Sequence, residues 1–331
     1  MNNYVPPFTI TNNMLERVSS IMKKIGKLEN YKDLNKMPVL RRNNRIKSIH
    51  SSLSIEANSL TFNQVKDIID GKLVIGSQKE IQEVKNAYNA YLKIKDVNPY
   101  SLNDLKSIHG IMTYLTVEES GKFRTGDEGV FDENGNCIHV CPPPEQVDKL
   151  MKQLFNWMKE NKDEVHPLIL SSVFHYEFVF IHPFSDGNGR TARLWQNVIL
   201  SNWEDIFEYV PIESKIMKYQ EEYYTSINNC NLNGTSTEFI EFMLKMIDEV
   251  LDGLIEGVGN QINHISSYVK KLLDAMDIGI PYTTSELMEL LDMKSRVSFR
   301  ENYLIPALEN GLIKMTFPDT PTSKNQTYFK D

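Results

Sequence analysis

Residues 182–193 read His-Pro-Phe-Ser-Asp-Gly-Asn-Gly-Arg-Thr-Ala-Arg and form the most informative stretch of this 331-residue chain. Upstream of it, apolar residues recur at helical spacing, and the proline after His182 predicts that this helix ends there. Gly187 and Gly189 allow close approach of the backbone where a second helix begins. The stretch therefore predicts two helices joined by a tight loop that carries one histidine and one aspartate.

The first turn of the second helix is a predicted anion site, because its unpaired N–H groups and its dipole favour negative charge. Arg190 and Arg193 lie one turn apart on the same face and suit a polyphosphate. Asp186 can hold Mg²⁺, which needs few carboxylates when phosphates supply the other ligands. His182 has an ordinary pKa near neutrality and is the candidate general base. The stretch is neither a Walker A loop nor a dinucleotide fingerprint, since no Gly-Lys-Ser/Thr follows and no strand precedes it.

The rest of the chain is predicted to be mostly helical. Thr11 is a candidate N-cap of a helix that Gly26 should end, and a second helix should cover about 38–57. Apolar residues recur at helical spacing again in 80–95 and in 102–115, which predicts two more helices. The sequence thus predicts an all-α protein over its first hundred or so residues.

One β-hairpin is expected within residues 121–146, where glycines and a triple proline interrupt the helical period. Two short strands, Val130–Phe131 and Cys137–Cys141, flank Asn134-Gly135. Asn-Gly favours a type I′ turn, because both central residues of that turn need a positive φ.

The last 50 residues follow a different pattern. Thr283 and Glu286 form a predicted capping box, and strands at 314–317 and 327–329 could pair as a two-stranded wing. Helix, turn, helix and wing resemble a DNA-binding outline, yet residues 281–331 hold six basic against seven acidic side chains. DNA contact and a purely structural or interaction role both remain open for this segment.

Composition narrows the function classes further. Lys plus Arg number 36 against 44 Asp plus Glu, so the net charge of −8 disfavours a protein whose whole surface grips nucleic acid. Three cysteines cannot form a disulfide framework and fit a reducing cytoplasm. Cys137, His139 and Cys141 lack a fourth ligand at zinc-finger spacing, so we interpret them as ordinary loop residues. No apolar run predicts a membrane span, and the first ten residues lack the pattern of a secretory signal.

The stretch 182–193 resembles the Fic family signature, HPFx(D/E)GNGRxxR, at every defined position. The resemblance continues through 105–109, 121–124, the hairpin and Tyr223-Tyr224. It implies an all-α Fic fold with a β-hairpin flap and a C-terminal winged-helix-like domain. The implied regions are an N-terminal helical region at 1–100 with an inhibitory helix at about 43–58, a catalytic core at 101–245 with the flap at about 121–146, and a winged-helix-like domain at 262–331.

The resemblance implies a nucleotidyltransferase, a protein adenylyltransferase that moves AMP from ATP to a Tyr, Ser or Thr hydroxyl of a target protein and of itself. His182 would take the hydroxyl proton, Asp186 would hold Mg²⁺ or Mn²⁺, and Arg193 would hold the γ-phosphate. Pyrophosphate would leave. The implied ATP contacts are Gly187, Asn188, Gly189, Arg190, Arg193, Ile138, His139, Val140, Tyr223 and Asn231.

A second motif, Ser52 to Asn58, resembles the family's inhibitory helix, [S/T]xxxE[G/N]. Ser52 and Glu56 stand at its defined positions, while Ala57 replaces the glycine that this form of the motif carries. The resemblance implies that Glu56 competes with the γ-phosphate for the guanidinium fork of Arg193. The resting protein would then be autoinhibited.

Several alternatives stay open at this point. The rival function is a DNA- or partner-binding regulator in which the Fic core senses nucleotide or removes AMP. Related sites also transfer phosphocholine or phosphate. We expect a cytoplasmic protein that binds its protein substrate at the flap, forms a homo-oligomer such as a dimer, and does not engage a membrane. DNA contact by the C-terminal segment has only weak support.

Overall fold

The computed structural model describes residues 4–30, 38–131, 137–264, 266–309, 311–318, 320–321 and 323–330. The helices are α1 (Asn12–Asn30), α2 (Pro38–Ile55), α3 (Phe62–Ile69), α4 (Gln78–Tyr91), α5 (Leu102–Met112), α6 (Pro144–Asn161), α7 (Pro167–Ile181), α8 (Asn188–Trp203), α9 (Glu213–Lys218), α10 (Gln220–Asn233), α11 (Thr237–His264), α12 (Ser267–Ala275), α13 (Thr284–Leu290), α14 (Arg296–Phe299) and α15 (Ile305–Glu309). The strands are β1 (Gly129–Phe131), β2 (Cys137–Val140), β3 (Tyr282–Thr283), β4 (Lys314–Met315) and β5 (Thr327–Phe329). The mainly helical fold with one hairpin is confirmed.

Contacts divide the chain into two compact units. The larger holds residues up to 25 together with 44–251, and the smaller holds 26–43 together with 252–331. Among the described residues, no helix is both long and apolar enough to cross a membrane.

The core of the larger unit is built on α7 and α8, which pack against each other. Both helices are buried on almost every side, which explains why the sequence of α7 is an apolar run without a polar face. Their largest fully buried side chains are Phe174, Phe178 and Trp195. Because the two helices are fixed over their whole length, the loop that joins them, residues 182–187, has fixed ends.

The sequence predicted that Gly26 ends α1, but the helix continues to Asn30. A glycine inside a helix costs about 1 kcal/mol relative to alanine. Burial of Ile25 and Leu28, which are 2% and 1% exposed, offsets that cost. Packing therefore overrides the local stop signal.

The predicted hairpin is present as the antiparallel pair β1 and β2, with Val130 opposite His139. A bulge follows Val130, so Phe131 pairs with Cys137. The predicted Asn134-Gly135 turn lies outside the described residues. The first strand begins one residue before the predicted Val130, at Gly129, and the second ends at Val140, one residue before the predicted Cys141.

The smaller unit has its own core, which includes Leu272, Leu287, Phe299 and Ala307. Thr283 forms the predicted capping box with Glu286 at the start of α13. Its sheet is three-stranded in the order β3-β5-β4, so the two-stranded wing expected from the sequence has a third strand. That strand, two residues long, was too short for a periodicity signal.

Candidate active site

His182 lies at the C-terminal end of α7 in the left-handed conformation, with φ 50°. Its N–H donates to the Phe178 carbonyl at 3.0 Å, and its own carbonyl accepts from Arg124 Nε at 2.7 Å. The left-handed conformation is unfavourable for a residue with a Cβ, so these two bonds hold a strained turn that aims the imidazole away from the helix.

Burial lowers the pKa of the His182 imidazole below its usual 6.5, and the charge on Arg124 lowers it further. The Val179 carbonyl and the Glu56 carboxylate act in the opposite direction but do not reverse the shift. His182 Nδ1 is buried and makes no hydrogen bond to the described residues. The ring is therefore neutral near pH 7, which is the form that a general base requires.

Asn188 holds the loop closed. Its Oδ1 accepts from the Phe184 N–H at 2.9 Å, and its Nδ2 donates to the Phe184 carbonyl at 2.7 Å. Phe184 in turn stacks on His109, with ring centroids 3.5 Å apart. The Asn188 side chain thus serves the loop, while its backbone amide belongs to the first turn of α8, where the sequence predicts the anion site.

Asp186 is the half-exposed carboxylate of the loop, with 46% of its side chain accessible. Its Oδ1 accepts from the Gly187 N–H at 2.5 Å and from Arg190 Nη2 at 3.1 Å. Arg190 also contacts Glu83 at 3.4 Å. Mg²⁺ that is also bound by phosphate oxygens needs only one or two protein carboxylates. An accessible carboxylate beside a helix N-terminus can supply one of them. Among the described residues, no cluster of three or more His, Cys, Asp and Glu could hold an ion by itself.

Arg193 is buried, and its guanidinium bonds to Ser52 and Glu56. Nη2 donates to Glu56 Oε1 at 2.7 Å and to the Ser52 carbonyl at 2.9 Å, while Nε donates to Ser52 Oγ at 3.1 Å. Residues 137 positions apart in sequence therefore form the pair that the resemblance implied.

The helix that carries Ser52 ends earlier than expected. The prediction placed the helix at about 43–58, whereas α2 ends at Ile55 and Ala57 has φ 62°. The N–H groups of Ala57 and Asn58 then bond to the Ser54 and Leu53 carbonyls. A left-handed residue cannot continue a helix, so Glu56 projects from a terminal turn toward Arg193.

A cleft of about 160 Å³ opens beside this pair. Its lining residues are Glu56, Val130, His139, Val179, Phe180, His182, Gly189, Arg193, Tyr223, Tyr224, Ile227, Asn228 and Asn231. The lining therefore combines the histidine and the arginine with aromatic, aliphatic and amide groups of α7 and α10. Such a combination suits a ligand with one anionic end and one flat, hydrogen-bonding end.

The predicted nucleoside contacts Tyr223 and Asn231 both line this cleft, but the side-chain oxygen of each has a partner in the protein. The Tyr223 hydroxyl lies 3.0 Å from His175 Nε2, and Tyr176 donates to Asn231 Oδ1 at 2.9 Å. Burial lowers the pKa of His175 to about 3, so that ring is neutral. Tyr223 therefore offers the cleft mainly its ring.

The flap contributes His139, whose Nε2 lies 2.8 Å from the Phe180 carbonyl. Val140 is 78% exposed and is absent from the described residues that line the cleft. Ile138 lies on β2, and its side chain falls outside the described residues. Of the three predicted flap contacts, the structure thus brings His139 to the cleft.

Two residues that hold the site together had no assigned role in the sequence analysis. Arg124 donates to the carbonyls of His182, Gly126 and Pro142 and so ties the flap base to the loop. His109 Nδ1 accepts from the Gly121 N–H at 3.0 Å, so its proton is on Nε2, which donates to the Asp186 carbonyl at 2.9 Å. Both lie within segments that carry the family resemblance, and that resemblance was the signal in the sequence that could have identified them.

Comparison with known proteins identifies the family of the chain. The sequence model of the Fic/DOC family matches residues 99–200, and that of the Fic-like C-terminal domain matches residues 267–329. A curated relative from Nematostella vectensis, named protein adenylyltransferase Fic, is 29% identical over 219 residues, covering 62% of this chain and 48% of the relative. Protein adenylyltransferase fic-1 of Caenorhabditis elegans is 25% identical over 298 residues, covering 87% and 54%. The chain thus spans about half the length of these relatives.

Solved structures give a fuller match. The crystal structure of a Fic family protein from Desulfovibrio desulfuricans has a TM-score of 0.75 and 39% sequence identity, covering 99% of this chain and 98% of that one. Fic-1 from C. elegans has a TM-score of 0.64 at 23% identity, over 75% and 73% of the two chains, and supports the fold alone. With its signature loop, its hairpin and a full-length relative of this similarity, the chain belongs to the Fic/DOC family.

Proposed function

We propose that this protein is an adenylyltransferase that moves AMP from ATP to a hydroxyl side chain of a protein. The observation that carries the proposal is that neutral His182, Arg193 and Gly189 of the first turn of α8 line a single cleft. A ligand bound there would meet a base and anion-binding groups together. The names of the curated relatives point to the same reaction.

In the proposed reaction, His182 takes the proton of the attacking hydroxyl. The hydroxyl oxygen bonds to the α-phosphorus, and pyrophosphate leaves. The N–H groups of the first turn of α8, together with Arg190, stabilise phosphate charge. Asp186 is the residue that would hold Mg²⁺ or Mn²⁺, and the ion would neutralise part of the phosphate charge. Tyr223, Asn231 and the apolar residues of the cleft would hold the adenosine.

We also propose that the protein is autoinhibited. Arg193 has to bind the γ-phosphate to orient the α-phosphorus, but its Nη2 is engaged by Glu56 at 2.7 Å. An Arg–carboxylate pair of this kind, with the arginine side chain 1% exposed and Glu56 33% exposed, forms charge-assisted hydrogen bonds worth about 1.5–3 kcal/mol. ATP would then bind with its γ-phosphate displaced.

The target would bind along the flap by strand addition to β1–β2, which presents the exposed Val140. Self-modification, a dimeric state and a cytoplasmic location belong to the same proposal. The C-terminal unit, which we take as winged-helix-like, serves in this proposal as an interaction module rather than as a DNA reader.

Intact-mass measurement after incubation with Mg²⁺ and ATP tests the proposed reaction. We expect Glu56→Gly to gain one AMP on itself or on a co-incubated protein about 10- to 100-fold faster than wild type, and we expect added Arg193→Ala to cancel the gain. A mass gain of one phosphate would instead indicate phosphorylation, and loss of AMP from a labelled protein would indicate removal. Equal labelling by wild type and Glu56→Gly at saturating ATP would contradict autoinhibition.

A further inference from the structure

A buried chain of hydrogen-bonding groups continues behind Arg193, on the side away from the cleft. It begins at Glu213, the first residue of α9, which is 1% exposed. Glu213 Oε1 accepts from the Tyr91 hydroxyl of α4 and from Asn197 Nδ2 of α8, each at 2.6 Å. Glu213 Oε2 is buried without a close partner among the described residues.

The chain then reaches the inhibitory helix. The Ser52 hydroxyl of α2 lies against the Tyr91 hydroxyl and also accepts from Arg193 Nε at 3.1 Å. The Ser48 hydroxyl, one turn earlier on α2, approaches the Glu213 carboxylate. Every one of these side chains is at most 5% exposed. One continuous path therefore connects Glu213 to Arg193 and, through it, to Glu56.

Helix α2 is held by apolar packing and by these polar contacts together. Ile46, Ile49 and Leu53 are buried apolar side chains of α2, and Ser48 and Ser52 are buried hydroxyl side chains of the same helix. Apolar packing is non-directional, so the hydrogen bonds of Ser52 to Arg193 are the contacts that can set the exact position of the last turn of α2. The Glu56–Arg193 bond is 2.7 Å long and weakens steeply when the end of α2 moves by even 1 Å.

We propose that Glu213 and Tyr91 are positioning residues that hold the inhibitory helix in register with Arg193, so that the Glu56 contact is maintained by a second, buried carboxylate. The proposal rests on the autoinhibition proposed above. It assigns Glu213 to control of the reaction and not to the chemistry, since no atom of Glu213 lines the cleft.

Two conservative variants test it. Tyr91→Phe removes only the hydroxyl between Glu213 and Ser52, and Glu213→Gln keeps the size of the side chain. Each should raise AMP labelling about 3- to 10-fold when Glu56 is present, as expected from the loss of one buried hydrogen bond. In the Glu56→Gly background neither should change labelling by more than about 1.5-fold, because the contact that they support is already gone.

Asp248→Asn is the matched control. Asp248 is also a buried carboxylate in the larger unit, where it accepts from Arg17, Ser20 and Lys24. Asp248→Asn should lower the melting temperature without raising AMP labelling. The control therefore distinguishes release of α2 from a general loss of stability.

The proposal is overturned if neither Tyr91→Phe nor Glu213→Gln raises labelling twofold while Glu56→Gly does. It is also overturned if either variant raises labelling equally with and without Glu56, since that would be a direct effect on transfer. If Glu56→Gly itself gives no gain, the proposed autoinhibition fails and this inference fails with it.

Discussion

Glu56 Oε1 occupies the space that a side chain on Gly189 would need. A Cβ built on Gly189 would lie 2.3 Å from that oxygen and 3.1 Å from Arg193 Nη1. Gly189 therefore leaves room for the Glu56 carboxylate beside the first turn of α8. A side chain at this position would displace the carboxylate from Arg193.

This relationship predicts non-additive stability. Gly189→Ala should lower the free energy of unfolding by about 1 kcal/mol when Glu56 is present, because the methyl group displaces the carboxylate from Arg193. In the Glu56→Gly background, the same change should be neutral or stabilising by up to about 1 kcal/mol, since alanine favours the helix. Denaturant unfolding of the four proteins measures the coupling, and additive effects would contradict the contact.

His182→Ala should abolish AMP transfer by about 10²- to 10⁴-fold while ATP affinity changes little, because the imidazole meets the hydroxyl and not the nucleotide. Labelling and ATP titration measure the two effects. His166→Ala, which removes an imidazole at the opposite end of α7, is the control and should label normally.

The pH dependence of transfer should report the same base. Its pKa is lowered from 6.5, mainly by burial, and the neutral form is active. The rate should therefore stay constant from pH 8 to about 6.5 and fall only below the ordinary histidine range. A midpoint above 7 would exclude His182 as the base in this environment.

Asp186→Ala should remove the metal response. In wild type, chelation with EDTA should weaken ATP binding, because Asp186 would hold an ion that neutralises part of the phosphate charge. The variant should bind ATP equally with and without EDTA and should not transfer AMP. Calorimetric titration of ATP with and without EDTA makes the comparison, and an EDTA effect retained in the variant would assign the ion to another residue.

Ala57→Gly should stabilise the protein, since Ala57 has φ 62° and glycine has no Cβ penalty there. We expect a gain of about 0.5–1 kcal/mol, seen as a rise of a few degrees in melting temperature. Ala87→Gly, within helix α4, should lower the melting temperature instead. The test is whether replacing alanine by glycine raises the melting temperature at position 57 and lowers it at position 87.

Glu177 should make stability fall with rising pH. Burial raises its pKa from 4.5 to about 7, although the Tyr4 hydroxyl donates to it and lowers the pKa. The unfolded chain ionises first, so stability is full below about pH 4.5 and decreases up to about pH 7 by roughly 3 kcal/mol. The free energy of unfolding should be measured for wild type and Glu177→Gln at pH 5 and pH 8. Relative to wild type, the variant should be more stable at pH 8 than at pH 5.

The signature loop was readable from the sequence because its physics is local. A proline after His182, two glycines and a helix start constrain neighbouring residues, and twelve contiguous positions carry the family resemblance. The hairpin was equally local, since its two short strands lie close in the chain on either side of Asn134-Gly135. These elements depended on short-range rules that hold before any tertiary packing exists.

The end of α1 and the end of α2 were decided by packing and backbone geometry. Gly26 is a stop signal by propensity, but burial of Leu28 carried the helix past it. Ala57 offers no local reason to adopt a positive φ, yet the turn that aims Glu56 at Arg193 requires one. Propensity is worth about 1 kcal/mol, which tertiary contacts readily exceed.

Sequence alone predicted the candidate residues of the site, namely His182, Asp186, Arg193 and Glu56. Only the tertiary structure decided that Glu56 and Arg193 bond at 2.7 Å and that Glu213 lies behind them through Tyr91. Glu213 stands in no recognisable motif, and a carboxylate in a polar segment is ordinarily solvated. Long-range contacts depend on how helices pack in three dimensions, and linear spacing carries no information about that packing.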